Sequence, residues 1–109
     1  MALDSSFFVS EAVHEQVVKL GGAEHVLHFR ELPAVEFIKM QSHLQSADED
    51  VRAAAMCKIV AKSVCDPDGK LAMTEDQALN LRTDALNALF TAILKVNGRG
   101  DEDEGAGKL

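Results

Sequence analysis

Four histidines, two cysteines and an acidic turn around Pro67 are the residues of this 109-residue chain whose types could do chemistry. His25 and His28 differ by three positions among Val26, Leu27 and Phe29. On a strand an odd spacing sends two side chains to opposite faces, so the pair cannot chelate one ion. They read as solvated strand histidines. Asp66-Pro67-Asp68-Gly69 invites a calcium reading. Laid on a calcium-binding helix–loop–helix motif, Gly69 takes the sharp turn and Leu71 the hydrophobic place. Asp66, Asp68 and Glu75 then fall at carboxylate places. The first ligand place, however, is Val64, which has no side-chain oxygen, and Pro67 sits inside the loop. The expectation is a tight acidic turn between two capped helices, without calcium. Cys57 and Cys65 fall in or near one expected helix, where they stand about 12 Å apart, too far for a disulfide. They are expected to be reduced, half-buried core thiols in a reducing compartment.

No phosphate-binding glycine loop, CxxC, HExxH or nucleophile motif is present. The chain therefore reads as a non-enzyme without a cofactor or metal. Arg99-Gly100-Asp101 matches a cell-adhesion tripeptide, a coincidence in a Gly- and acid-rich tail. What remains is binding. Phe7, Phe8 and Val9 form an apolar arm with no assured place in a small core, and are the candidate contact between molecules. Asp101, Glu102, Asp103 and Glu104 are the second candidate, an electrostatic lure for a basic partner segment.

The net charge of −7 and the pI near 4.9 narrow the partners. A nucleic-acid binder needs a basic surface to displace counterions. No Lys/Arg cluster is visible along the chain, so direct DNA or RNA binding and anionic membrane surfaces are excluded. No stretch approaches ~18 consecutive apolar residues. The first ten residues lack the basic and long apolar regions of a signal peptide, so a cytosolic location is expected.

The elements that must position these residues are mostly helical. With no Trp or Tyr and five Phe, the apolar inventory suits helices better than an all-β sandwich. Gly21-Gly22 marks a hairpin turn between Val17, Val18, Leu20 and Val26, Leu27, Phe29. Pro33 suits a first helical turn, and Ala34, Phe37, Ile38 and Leu44 give a partial stripe to about Gln45. Ser46-Ala47-Asp48-Glu49 reads as a capping box. Its helix carries Val51, Ala55, Met56, Ile59, Val60 and Val64 on one side, with Arg52, Lys58 and Lys62 toward solvent. A second capping box, Thr74 to Gln77, starts a short helix to about Leu81. Thr83 opens the last helix, whose Leu86, Leu89, Phe90, Ile93 and Leu94 make the cleanest stripe; Leu89 and Phe90 should be largely buried. Asn97-Gly98 stops it. The expected fold is mainly α: four or so helices packed with a small N-terminal β-hairpin, and a disordered acidic C-terminal tail. One domain spans 1–98, with the hairpin over 13–32 and helices over 33–98; the tail is 99–109.

The order of these features resembles a known family. A β-rich start ends in Phe29-Arg30-Glu31-Leu32-Pro33 and a helical middle follows. Then come Asp66-Pro67-Asp68-Gly69-Lys70, the capped Thr74-Glu75-Asp76, and a last helix closing on Val96-Asn97-Gly98. This resembles the tail assembly chaperones of lambda-like, long-tailed, non-contractile phages over roughly residues 13–98. The order carries the likeness, with no single diagnostic motif. The resemblance implies a protein of the host bacterial cytoplasm, absent from the mature virion, that coats the long tape measure protein before the tail tube polymerises. It implies self-association. It also implies a longer product, made by translational frameshifting, that could engage the major tail tube protein. Ala106, Gly107 and Lys108 permit a slippery codon run, which places the expected frameshift site there. Two other readings stay open. One is a small helical adaptor or regulator with a degenerate calcium-binding-like loop. The other is a subunit of an unrelated helical assembly.

Overall fold

Gly21 and Gly22 set the first element. Both take positive φ, 62° and 85°, which glycine enters without steric cost. Two such residues form the turn that matches the right-handed twist of a hairpin. β1 (Val13–Leu20) and β2 (Ala23–Arg30) pair antiparallel, from Leu20 opposite Ala23 to Val13 opposite Arg30. The alternation along each strand sorts the side chains. Val18 and Phe29 turn inward and are buried, while Val17 and Val26 face each other outside, both 56% exposed. The computed structural model describes residues 3–98 of the chain.

A third strand corrects the expected mainly α fold. α1 (Ala34–Leu44) and α2 (Glu49–Ser63) follow the hairpin. α2 then passes directly into β3 (Val64–Cys65), which pairs antiparallel with β2: Val64 opposite Phe29, Cys65 opposite His28. Leu71 bridges back to Cys65 beyond the acidic turn. Pro67 disfavours helical backbone at Asp66, and β-branched Val64 fits a pleated surface. The free edge of β2 supplies the partner. Ser63, fully buried, completes the junction by donating its hydroxyl to the Arg30 carbonyl at 2.8 Å. The protein is thus an α+β domain: four helices and a three-stranded antiparallel sheet of order β1-β2-β3 among the described residues. Val64 and Cys65 belong to this sheet, not to a helix.

The helices show where local signals compete. α1 starts after Pro33 but buries only Phe37 fully, with Met40 half-buried. Ile38 and Leu44, expected in the core, are exposed. The cap of α2 is Asp48, not Ser46. The Asp48 carboxylate accepts the amides of Asp50 and Val51, while the Ser46 hydroxyl accepts the Asp48 amide one turn earlier. An acceptor shared by two first-turn donors is the better cap for the orphan N–H groups. α2 is buried on more than one side, through Ala55, Cys57, Ile59, Val60, Ala61 and Ser63, because α1 and α4 both pack on it. α3 (Glu75–Ala78) has the expected Thr74/Gln77 capping box but ends before Leu81. α4 (Thr83–Val96) buries Leu89, Ala92 and Ile93; Phe90 is only half-buried.

One apolar core joins sheet and helices. Phe29, Val60 and Ile93 are fully enclosed, and Val18, Leu32, Phe37, Ile59, Val64 and Leu89 pack with them. A smaller cluster of Cys57, Ala61 and Ala78 lies under α3. Asn97, just past α4, clips the chain closed. Its Oδ1 accepts the Leu32 amide at 2.9 Å, and its Nδ2 donates to the Ile93 carbonyl at 2.8 Å.

Candidate partner-binding surface

The N-terminal arm is folded locally and points outward. Asp4 caps a single 3₁₀ turn (Ser5–Phe7) by accepting the Ser6 amide at 2.8 Å. Phe7 is 70% exposed and Phe8 61%, with Val9 beside them also exposed. Neither of these adjacent aromatics is buried against the described residues. Glu31 roots the arm. Its carboxylate accepts the Ser10 amide at 2.9 Å and the Ser10 hydroxyl at 3.1 Å, and pairs with His14 Nε2 at 2.8 Å. The Ser10 amide, helped by His14 and the Ser10 hydroxyl, holds the Glu31 carboxyl below the usual carboxylate range. Glu31 lies in the phrase Phe29 to Pro33, which joins sheet to α1.

Of the clefts among the described residues, two bear on binding. The first, about 220 Å³, is almost wholly apolar and opens where the turn end of the hairpin meets α4. Leu20, His25, Leu27, Leu81, Ala85 and Ala88 are among its walls. The second lies between α1 and α2, holds about 210 Å³, and gathers Lys39, His43, Lys58 and Lys62 with Glu36 and Glu75. No Lys/Arg cluster is visible along the chain, where Lys58 and Lys62 are expected to face solvent; the packing of two helices brings Lys39, Lys58 and Lys62 together. The available signal was the spacing: 39/43 and 58/62 are neighbouring pairs one helical turn apart. Lys62 donates to Glu36 at 2.7 Å and so holds the Glu36 carboxyl low.

Asp66 Oδ1 accepts the amides of Asp68 and Lys70, at 2.8 and 3.0 Å, so its carboxylate faces its own loop. Gly69 takes φ +89° to close that turn. The loop leaves a strand rather than a helix, so the helix–loop–helix frame is missing on its N-terminal side. His25 reaches the apolar cleft, while His28, on the other face, sits 3.6 Å from Glu15. Cys57 and Cys65 are free thiols, more buried than expected, and burial pushes both thiol pKa values up. Among the described residues no three His, Cys, Asp or Glu converge on a metal-sized site. No helix among them is long and apolar enough to cross a membrane. Asp101, Glu102, Asp103 and Glu104, and the expected frameshift position at Ala106 to Lys108, lie outside the described residues.

No protein-family model, curated protein or solved structure matches the chain.

Proposed function

We propose that this chain is a non-catalytic phage tail assembly chaperone. It binds the tape measure protein in the host cytoplasm and keeps that long apolar rod soluble until tail tube subunits close around it. The observation that carries the reading is the arm. Phe7, Phe8 and Val9 are exposed together on a segment that is itself capped and rooted. Exposed apolar groups gathered at one place mark a contact surface. The apolar cleft between hairpin and α4 supports the same reading, since a coating protein must accept aliphatic side chains from a helical partner. The acidic charge keeps chaperone and cargo dispersed. A longer frameshifted product would carry the complex to the tail tube protein.

The test begins with the neighbouring reading frames, where a very long, coiled-coil-rich frame is expected shortly downstream. Its product, co-expressed with this chain, should stay soluble and co-purify. Phe7→Asp with Phe8→Asp should weaken that capture by about tenfold or more, because each buried Phe contributes ~1.5–3 kcal/mol. Absence of such a frame, or a tape measure product that stays insoluble beside the wild-type chain, would remove this reading.

A further inference from the structure

β1 is the outer strand of the sheet, and no strand lies on its second edge among the described residues. The hairpin turn decides which backbone groups point to that edge. Leu20 and Ala23 flank the two-residue turn and share its hydrogen bond. Hydrogen-bonded pairs alternate along antiparallel strands. The backbones of His14, Gln16, Val18 and Leu20 therefore face β2, and those of Val13, Glu15, Val17 and Lys19 face outward. An eight-residue edge without proline or bulge is a template for another strand.

The side chains at that edge select the strand. Glu15 and Lys19 stand on either side of Val17 on the outer face. All three are more than half exposed. We propose that β1 pairs antiparallel with β1 of a second copy, about a two-fold axis at Val17. In that register Val17 meets Val17, and Glu15 of each copy meets Lys19 of the other. The outward-facing backbone groups match each other, because odd-numbered residues pair only with odd-numbered ones. Sliding the strands by two residues sets both charges against valine or glycine. Sliding by four sets Glu15 against Glu15 or Lys19 against Lys19. Within β1 only the Val17-centred register joins opposite charges at both ends without setting like charges together; the slide that pairs Glu15 with Glu15 also brings Lys19 to Glu11, which lies before the strand. Val26, across from Val17, extends the seam into a row of four valines. Beneath the edge, a groove of about 240 Å³ is lined on its α4 side by Ala88, Thr91, Ala92 and Lys95, the first three of them small. The product is a closed dimer with one six-stranded sheet. It assigns copy-to-copy contact to β1 and leaves the arm for cargo. It stands apart from the tape measure reading and is measured on the purified chain alone.

Sedimentation of the full chain from micromolar to millimolar concentration should show a monomer–dimer equilibrium. Lys19→Glu and Glu15→Lys should each weaken it about tenfold or more, since each puts two like pairs where two opposite pairs stood. An equal mixture of the two variants should recover a heterodimer, because every facing pair is again opposite. The double exchange, Glu15→Lys with Lys19→Glu, should dimerise as the wild type does, and melting curves check that each variant is folded. A wild type that stays monomeric across the range overturns the proposal. So do single variants that dimerise unimpaired, a mixture that does not recover, or an open series of larger species.

Discussion

Replacing Glu31 by alanine should free the N-terminal arm without unfolding the body. The carboxylate accepts two hydrogen bonds from Ser10 and pairs with His14, at 2.8 to 3.1 Å. Its side chain is 22% exposed, so water competes for part of this. Hydrogen bonds to a charged group contribute ~1.5–3 kcal/mol each when sheltered. Ordering each arm residue costs about 1–2 kcal/mol of backbone entropy, which cancels much of the gain. The expected net is ~1–2 kcal/mol, read as a fall of about 5–30-fold in protection of the Ser10 amide from hydrogen exchange. The pH dependence has a definite sign. The Ser10 amide and His14 hold the folded Glu31 carboxyl below its usual range. Its contribution is therefore fully present above the unfolded carboxylate pKa and is lost as pH falls through the lowered folded value. Glu31→Gln keeps an acceptor for Ser10 but removes the charge, so it should retain partial protection and lose the acid step. Amide exchange followed by NMR, with a pH series, reads all of this. Equal Ser10 protection in wild type and Glu31→Ala would refute the rooting of the arm.

Three further outcomes are expected. Leu89→Ala should cost ~2–5 kcal/mol, because Leu89 lies in the core between α4 and the sheet; a melting curve that matches wild type would turn that face outward. Asn97→Ala should cost ~1–3 kcal/mol, since it leaves the Leu32 amide without its acceptor; chemical denaturation measures it, and a loss near zero would make the clip incidental. Cys57 and Cys65 should react with a thiol reagent far more slowly in the native protein than in denaturant, as both are buried and their thiol pKa values are raised; rapid native labelling would show that their helix and strand open readily.

The hairpin and α4 were legible because their signals are local and repeated. Gly21-Gly22 between alternating strands admits few other conformations, and the Leu86 to Leu94 spacing has one helical solution. The third strand was not legible. Val64 and Cys65 are too short for a period, and what makes them a strand is the free edge of β2, more than thirty residues earlier. The face of α1 failed for a similar reason. A stripe through Ile38 and one through Glu36, Phe37 and Met40 are both possible on that helix. The choice is made by α2, where Lys62 meets Glu36. Ser46 and Asp48 were both acceptable caps, and only the backbone path separates them. The exposed arm was visible as an apolar phrase near a terminus. Its root at Glu31, twenty-one residues away from Ser10, was not.

The direct passage from Ser63 to Val64 has a consequence for how the molecule opens. No loop residue separates α2 from β3, and Ser63 is tied to the Arg30 carbonyl beside the strand. Slack is therefore absent at the point where helix becomes sheet. β3 cannot leave β2 by hinging; it must pull on the end of α2, whose own Ile59, Val60, Ala61 and Ser63 are buried. Helix end and strand should then behave as one cooperative unit, with the Val64 and Cys65 amides and the final α2 amides opening at a single free energy. β1 packs on the core through Val18, but its outer backbone edge meets no strand among the described residues, so the sheet is fastened to a helix end on one side and open to pairing on the other.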